Sequence, residues 1–296
     1  MITRRMFLKG LLGGTLAGFL TGGYALAEAG WRLRVQNHAV QPVGWRRGQR
    51  LRIAMLADLH ASGSGMAEDR IAGIVERVNA ESPDLIVLLG DYRATHRFQT
   101  RAVPIEAVAP ILARLQAPLG VYAVTGNHDW WDDQIAWKRR AGPTHVQTVL
   151  EGAGIPVLAN RAVMLGAGDS AFWLGGVESQ SAFQRNSGDD IIGMSDVPGT
   201  VAQMTGDVPA ILLAHEPDLF VTVPDRVALT LSGHTHGGQV RFGPWAPVVP
   251  SRFGSRFVYG HIVEGNRDLV VSGGLGCSGL PIRLGRPPEI TVVDLS

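Results

Sequence analysis

Two histidines separated by one residue constrain the possible fold and function of this chain more than any other sequence feature. His234 and His236 lie in a stretch flanked by glycines, 231–239, directly after the apolar run 227–231. The run predicts a buried strand, and the glycines predict a turn at its end. Because alternate residues of an extended segment share a face, the two imidazoles can point at one place. Imidazole is the commonest metal ligand in proteins, although exposed loop histidines are the usual explanation of an isolated match.

Four further polar motifs follow apolar runs earlier in the chain. Open α/β folds place their functional sites beyond the carboxyl ends of the strands, so the motifs predict one shared crevice. Taken singly, each of these residues is typical of a turn; together they offer more ligands than one ion needs. Oxygen and nitrogen ligands without thiolate suit Mn, Fe or Zn. The motifs are Asp58-Leu59-His60, Gly90-Asp91, Gly126-Asn127-His128-Asp129 and Ala214-His215-Glu216, and the runs before them are 51–57, 85–89, 120–124 and 210–214.

The order of the predicted elements favours an α/β fold. In the first half, apolar runs alternate with helical stretches, which is the pattern of βαβ units. Pro110 interrupts the second of these helices. Shorter runs separated by glycines then predict a second sheet. The predicted helices cover about 67–80, 105–115 and 131–150, and the second sheet begins with the runs 157–165 and 172–177.

Together the five motifs resemble those of the calcineurin-like metallophosphoesterase family. The resemblance covers about residue 51 to the end of the chain, and it implies a two-sheet β-sandwich flanked by helices, an α/β/β/α arrangement. The later stretches 236–240, 279–283 and 286–290 resemble the branch that holds exported or membrane-associated bacterial phosphodiesterases. We therefore expect a single metallophosphoesterase domain at 51–296.

The resemblance also implies a role for each motif residue. A hydroxide between two metal ions would be the nucleophile. His128 would protonate the leaving oxygen or stabilise the transition state, and Asp129 would orient His128; purely structural roles for both residues stay open. The implied ligands are Asp58, His60 and His236 for one ion and Asn127, His215 and His234 for the other, with Asp91 bridging the two.

The first 27 residues resemble a twin-arginine export signal. Arg4 and Arg5 precede the apolar stretch 10–26, and residues 25–27 have the small-x-small form of a signal-peptidase site. We therefore expect export by the twin-arginine machinery to the periplasm or to the outer face of the cytoplasmic membrane. An uncleaved membrane anchor is the alternative. A lead-in segment, 28–50, follows.

Composition excludes several classes of function. The net charge of +1 gives no whole-chain basicity of the kind that indicates nucleic-acid binding, and the lone Cys277 excludes an intrachain disulfide and a cysteine-based zinc site. The predicted activity is hydrolysis of a phosphomonoester, phosphodiester or pyrophosphate bond in a phosphorylated small molecule or lipid. The alternatives are a membrane-associated lipid pyrophosphatase of the UDP-2,3-diacylglucosamine type and a non-catalytic metal-binding scaffold.

Several other residues allow two interpretations. Trp130 and Trp131 either rim the predicted pocket or pack over the sheets. Four arginines are candidate phosphate contacts, with exposed salt bridges or solvated surface positions as the alternative. These arginines are Arg93, Arg241, Arg252 and Arg283.

Overall fold

The structure is a computed structural model that describes residues 4–63, 65–94, 98–184 and 192–296. Within these ranges the chain forms two mixed β-sheets with helices on their outer faces. Residues 1–3 of the predicted export signal lie outside the described residues.

The first sheet has five strands in the order β1-β11-β2-β3-β4. Strands β2, β3 and β4 are parallel, whereas β11 is antiparallel to β2 and parallel to β1. The parallel strands therefore end at one edge of the sheet, where three of the polar motifs follow. The strand bounds are β1 Arg34–Val40, β2 Leu51–Leu56, β3 Leu85–Leu88, β4 Val121–Ala123 and β11 Glu289–Leu295.

The second sheet has six strands in the order β5-β6-β7-β8-β10-β9. Its four central strands are parallel, and the edge strands β5 and β9 are antiparallel to their neighbours. The remaining two motifs follow β7 and β8. The strand bounds are β5 Arg161–Leu165, β6 Phe172–Gly176, β7 Ala210–Leu213, β8 Leu229–Ser232, β9 Gly260–Glu264 and β10 Arg267–Val271.

The two sheets face each other across a fully apolar layer. Ile53, Met55 and Val87 of the first sheet pack with Leu213 and Leu231 of the second, and all five are fully buried. A second apolar cluster lies between the first sheet and its helices, and a third covers the outer face of the second sheet. This arrangement confirms the predicted α/β fold with two sheets flanked by helices.

The helices agree with the prediction in part. The predicted helix at 67–80 is confirmed, and Pro110 is accommodated at an exposed position inside the second helix. The single helix predicted for 131–150 is wrong. Asp133 caps one helix, Arg140 ends it in the left-handed conformation, and Thr144 caps the next. The bounds are α1 Arg4–Trp31, α2 Glu68–Ala80, α3 Ile105–Leu112, α4 Asn127–Trp131, α5 Gln134–Arg139, α6 His145–Gly152 and α7 Val197–Ala202.

The end of the N-terminal helix α1 is seated on the body of the domain. Ala25 and Glu28 are 4% and 1% exposed. The Ala25 carbonyl accepts a hydrogen bond from the Arg283 N–H at 3.0 Å, and the Glu28 carboxylate accepts one from the Gly285 N–H at 3.1 Å. The predicted cleavage site after Ala27 therefore lies inside a helix. Within the described parts of the chain, no helix combines the length and the apolar character that a membrane crossing needs.

Candidate metal centre

The backbone turns sharply at three of the five motifs, 58–60, 90–91 and 233–236. Positive φ is uncommon outside glycine and costs free energy, so it concentrates where a fold holds functional groups. Nine non-glycine residues of the described chain have positive φ, and five of them are predicted metal ligands. These are Asp58 (52°), His60 (41°), Asp91 (57°), His234 (69°) and His236 (53°).

The first three predicted ligands form one buried group, the A cluster: Asp58, His60 and His236. Their ligand atoms all lie within 4.8 Å of one another. The Nε2 atoms of His60 and His236 are 3.2 Å apart, and the Asp58 carboxylate lies 3.8 Å from the His236 Nε2 atom. All three side chains are almost completely buried, with exposures of 0–3%.

The other predicted ligands form the B cluster: Asn127, His215 and His234. The Asn127 side-chain oxygen lies 3.1 Å from the His215 Nε2 atom, which lies 3.3 Å from the His234 Nδ1 atom. Asn127 and His215 are buried, whereas His234 is partly exposed. The other imidazole nitrogen of His215 lies 2.5 Å from the Leu89 carbonyl, which fixes the orientation of the ring.

Asp91 lies between the two clusters. One carboxylate oxygen is 3.6 Å from the His60 Nε2 atom and 3.3 Å from the His215 Nε2 atom. The other oxygen accepts a hydrogen bond from the His128 N–H at 2.9 Å. Asp91 is therefore near an imidazole of each cluster, and the roles of all seven residues as ligands stay predictions.

The donor set of both clusters fits metal cations. Burial lowers the pKa of the His60 imidazole to about 3, so this ring is neutral and its nitrogen lone pair is available. Burial also raises the pKa of the Asp58 carboxyl to about 7, which means that the carboxylate favours a nearby positive charge. Carboxylate, amide and imidazole donors without a thiolate suit Mn, Fe or Zn.

Two glycines make room for the carboxylates. A Cβ atom at Gly126 would overlap the Asp91 side chain, and a Cβ atom at Gly274 would lie 2.8 Å from a carboxylate oxygen of Asp58. Gly274 also has a φ of 71°. The turns at 126 and 274 therefore need glycine so that the backbone can approach the clusters closely.

Arg283 supports the A cluster, which corrects its interpretation as a phosphate contact or a solvated surface residue. The side chain is fully buried. It donates to the carbonyls of Gly273 and Gly276 at 2.8 and 2.9 Å, and its terminal nitrogen lies 3.3 Å from the His236 Nδ1 atom. Sequence reasoning missed this role, because the apolar neighbours Ile282 and Leu284 were the only indication of burial.

His128 and Asp129 open helix α4. The His128 ring lies edge-on to His60, with ring centroids 5.0 Å apart, and lines the cavity in front of the clusters. The Asp129 carboxylate accepts hydrogen bonds from the N–H groups of Gly126, Asp91 and Tyr92 at 2.8–3.1 Å. These bonds link the motif that contains Asp129 to the motif that contains Asp91. The orienting action of Asp129 on His128 stays a prediction.

The two tryptophans have different positions. Trp130 is fully buried and donates to the Glu178 carboxylate at 3.0 Å. Trp131 lines the cavity and donates to the Ser181 carbonyl at 3.0 Å. The buried Glu216 carboxylate accepts hydrogen bonds from the Ser179 hydroxyl and the Gln180 N–H. The segment 178–181 is thus held against the motifs by Glu178, which sequence reasoning did not single out, and by Glu216, a motif residue to which it gave no role.

The remaining arginines lie outside the two clusters. Arg93 lines a separate cavity beside Asp132. Arg241 donates to the carbonyls of Gly237 and Pro244, and Arg252 is exposed on the following loop. None of these three positions tests the predicted phosphate contact.

A cavity of about 580 Å³ lies in front of the clusters. Its polar lining includes Asp91, Asn127, His128, His234 and His236. Its apolar lining includes Val240, Val248, Leu280 and Ile282. A bound molecule would therefore meet both predicted metal ligands and apolar side chains.

The two-sheet fold and the paired carboxylate–imidazole clusters define a metal-dependent hydrolase of the α/β class. The family described as calcineurin-like phosphoesterase matches residues 51–238, and the chain belongs to this family. It is a metal-dependent phosphoester hydrolase. The prediction of the family is confirmed, whereas the twin-arginine branch stays a prediction.

Three relatives extend the similarity beyond the matched segment. The chain is 31% identical to the uncharacterized metallophosphoesterase YkuE of Bacillus subtilis (strain 168), over 99% of this chain and 98% of the relative. It is 30% identical to the phosphodiesterase YaeI of Escherichia coli (strain K12), over 100% of both chains. It is 28% identical to an uncharacterized metallophosphoesterase of Aquifex aeolicus (strain VF5), over 93% of this chain and 96% of the relative.

Proposed function

We propose that this protein hydrolyses phosphodiesters at a centre for two metal ions. The observation that carries the proposal is the placement of Asp91, whose carboxylate lies within 3.6 Å of an imidazole from each cluster. The name of the relative YaeI, a phosphodiesterase, favours a diester over a monoester. Phosphomonoester and pyrophosphate bonds are the other outcomes of the test below.

The proposal assigns the ions and the reacting groups to the residues of the two clusters. Asp58, His60 and His236 would hold one ion and Asn127, His215 and His234 the other, with Asp91 shared. Divalent ions held here would supply a nucleophile by lowering the pKa of water, and they would offset charge that develops on phosphate. His128 lies at the cavity, where its ring can donate a proton to the leaving oxygen or a hydrogen bond to phosphate.

The test is metal removal and reconstitution. The chelator-stripped protein should be inactive on bis(p-nitrophenyl) phosphate and should regain turnover with Mn, Fe or Zn, with two ions bound per chain by elemental analysis. Turnover on p-nitrophenyl phosphate and on a pyrophosphate diester ranks the three bond types. Unchanged turnover after complete stripping would overturn the proposal, and a single ion per active chain would overturn its two-ion form.

A phosphorylated lipid is a second candidate substrate, favoured by the apolar wall of the cavity. Val248 and Leu280 are 73% and 48% exposed, so the wall faces a bound molecule rather than the protein core. A lipid phosphodiester would then be hydrolysed faster than a soluble diester with the same leaving group, as measured by product release. Equal rates with both substrates would remove this candidate.

We also propose export by the twin-arginine route, supported by Arg4 and Arg5 before the apolar stretch 10–26. Replacing both arginines with lysine should keep the protein in the cytoplasmic fraction of a bacterial host. Unchanged distribution between the fractions would refute this route.

A further inference from the structure

An exposed apolar face runs from the mouth of the metal centre to helix α1. The cavity in front of the clusters shares Leu280 and Ile282 with a second cavity of about 750 Å³, which lies between these residues and α1. On α1, Phe19 and Leu26 line the second cavity and are 75% and 54% exposed. The two cavities therefore form one continuous surface.

A turn beside the mouth adds two aromatic side chains to this face. Phe242 and Trp245 stack with their ring centroids 5.9 Å apart, and they are 55% and 60% exposed. The segment that follows supplies Pro247, Val248 and Pro250 to the cavity wall, so the aromatic pair lies next to the mouth. Exposed tryptophan beside aliphatic side chains is typical of a protein surface at a membrane–water boundary.

The end of helix α1 is attached to the domain by hydrogen bonds, so the part of the apolar face that α1 contributes has a fixed position. Arg70 of α2 donates to the Ala29 carbonyl at 2.8 Å, and a second bond joins it to the Gly30 carbonyl. Glu28 is buried against Gly285, three residues after Ile282. The end of α1 is therefore anchored beside the residues that both cavities share.

The charges around this face favour an anionic partner. Among the described residues that line the two cavities, the only carboxylate is Asp91, which belongs to the metal centre. Arg241 and Arg252 flank the segment that carries Trp245. Basic residues beside an apolar face are attracted to membranes that contain anionic lipids.

We infer that this face docks on an anionic lipid bilayer and that the metal centre opens at the level of the lipid headgroups. A protein partner would be expected to meet several hydrogen-bonding groups, because protein interfaces carry about one hydrogen bond per 100–200 Å². The lining of the second cavity offers one polar side chain, Thr15, among glycine, proline and apolar residues. The inference concerns binding and does not depend on the proposed hydrolytic activity.

The test is sedimentation of the full-length, metal-loaded protein with vesicles. Phosphatidylethanolamine–phosphatidylglycerol vesicles supply the anionic surface, and phosphatidylcholine vesicles supply a neutral one. The test variant combines Phe19→Ser, Phe242→Ser and Trp245→Ser. The control is Ile135→Ser on α5, which removes an apolar side chain that is 76% exposed beside a different cavity.

The unaltered protein and the control should bind the anionic vesicles equally and the neutral vesicles more weakly. The triple variant should bind at least about tenfold more weakly, because three apolar side chains no longer enter the bilayer. Unchanged melting temperature and unchanged hydrolysis of a soluble diester would show that the triple variant is folded. Equal binding of the triple variant, or no binding by the unaltered protein, would overturn the inference. A dimer that the triple variant abolishes, without vesicle binding, would assign the face to a second copy of the chain.

Discussion

The A and B clusters hold similar side chains but differ in how they are supported and exposed. All members of the A cluster are buried, and Arg283 lies directly behind His236. The B cluster contributes both Asn127 and His234 to the cavity, whereas the A cluster contributes only His236. The difference predicts that an ion held by the A cluster would be more enclosed by protein than an ion held by the B cluster.

Two supports of the A cluster, Gly274 and Arg283, lie after residue 238, the end of the segment that matches the family. A third support, the His234 N–H that donates to the Asp58 carboxylate, lies within that segment. Substitution of individual side chains should therefore affect metal binding by the two clusters unequally, except at a residue that both clusters share.

The largest effect is expected at the shared ligand. Asp91→Asn removes the negative charge that lies near imidazoles of both clusters, so both ions should bind weakly. We expect turnover to fall on the order of 10³-fold, which corresponds to about 4 kcal/mol of lost transition-state stabilisation. Elemental analysis and diester turnover measure the effect, with the exposed Asp207→Asn as control. Two ions retained in an active Asp91→Asn variant would contradict the bridging position.

His128→Asn tests a group that lies at the cavity without belonging to either cluster. The metal content should stay at the level of the unaltered protein, while turnover falls about 10²–10³-fold for diesters with alkyl leaving groups. The loss should be smaller for p-nitrophenyl diesters, whose leaving group needs little protonation. An equal loss for both kinds of diester would argue for stabilisation of phosphate by His128 rather than for proton donation.

Arg283→Met should weaken metal binding by the A cluster without weakening metal binding by the B cluster. The substitution removes the group behind His236 and leaves the B cluster intact, so binding of one ion should weaken about 10–100-fold. Arg283→Lys keeps the charge but loses the planar fork that reaches four acceptors, so it should restore only part of the affinity. Metal titration with each variant measures both effects. Equal weakening of both ions would show that Arg283 supports the whole domain instead of the A cluster.

Gly276→Ala should have the smallest effect, on stability rather than on chemistry. A Cβ atom there would overlap the Leu59 carbonyl and would lie 2.8 Å from the His60 Cβ atom. Such crowding costs about 1–3 kcal/mol of unfolding free energy. Gly73→Ala in α2 is the control, because nothing lies within 4 Å of its Cβ position. Chemical denaturation compares the two variants; equal stability would show that the turn at 276 shifts freely.

The motif residues could be predicted from sequence because each one follows a strand whose apolar run is visible locally. Parallel pairing brings together the strand ends that carry Asp58 and Asp91 in one sheet and those that carry His215 and His234 in the other, and the packing of the two sheets brings the two sets together. Arg283 could not be predicted, because its burial depends on contacts with turns that are 7–47 residues away in the chain. The helix predicted for 131–150 failed because side-chain caps at Asp133 and Thr144 overrode helical periodicity.

The hydrogen bond between Ala25 and Arg283 has a consequence for the predicted cleavage after Ala27. A peptidase binds its target as an extended strand, whereas residues 25–29 are helical here, and Ala25, Glu28 and Ala29 are buried. The junction after Ala27 is therefore shielded once the domain has folded, and cutting it requires that the helix first be unseated. Because Arg283 also places its guanidinium beside His236, unseating the helix would loosen one wall of the A cluster as well.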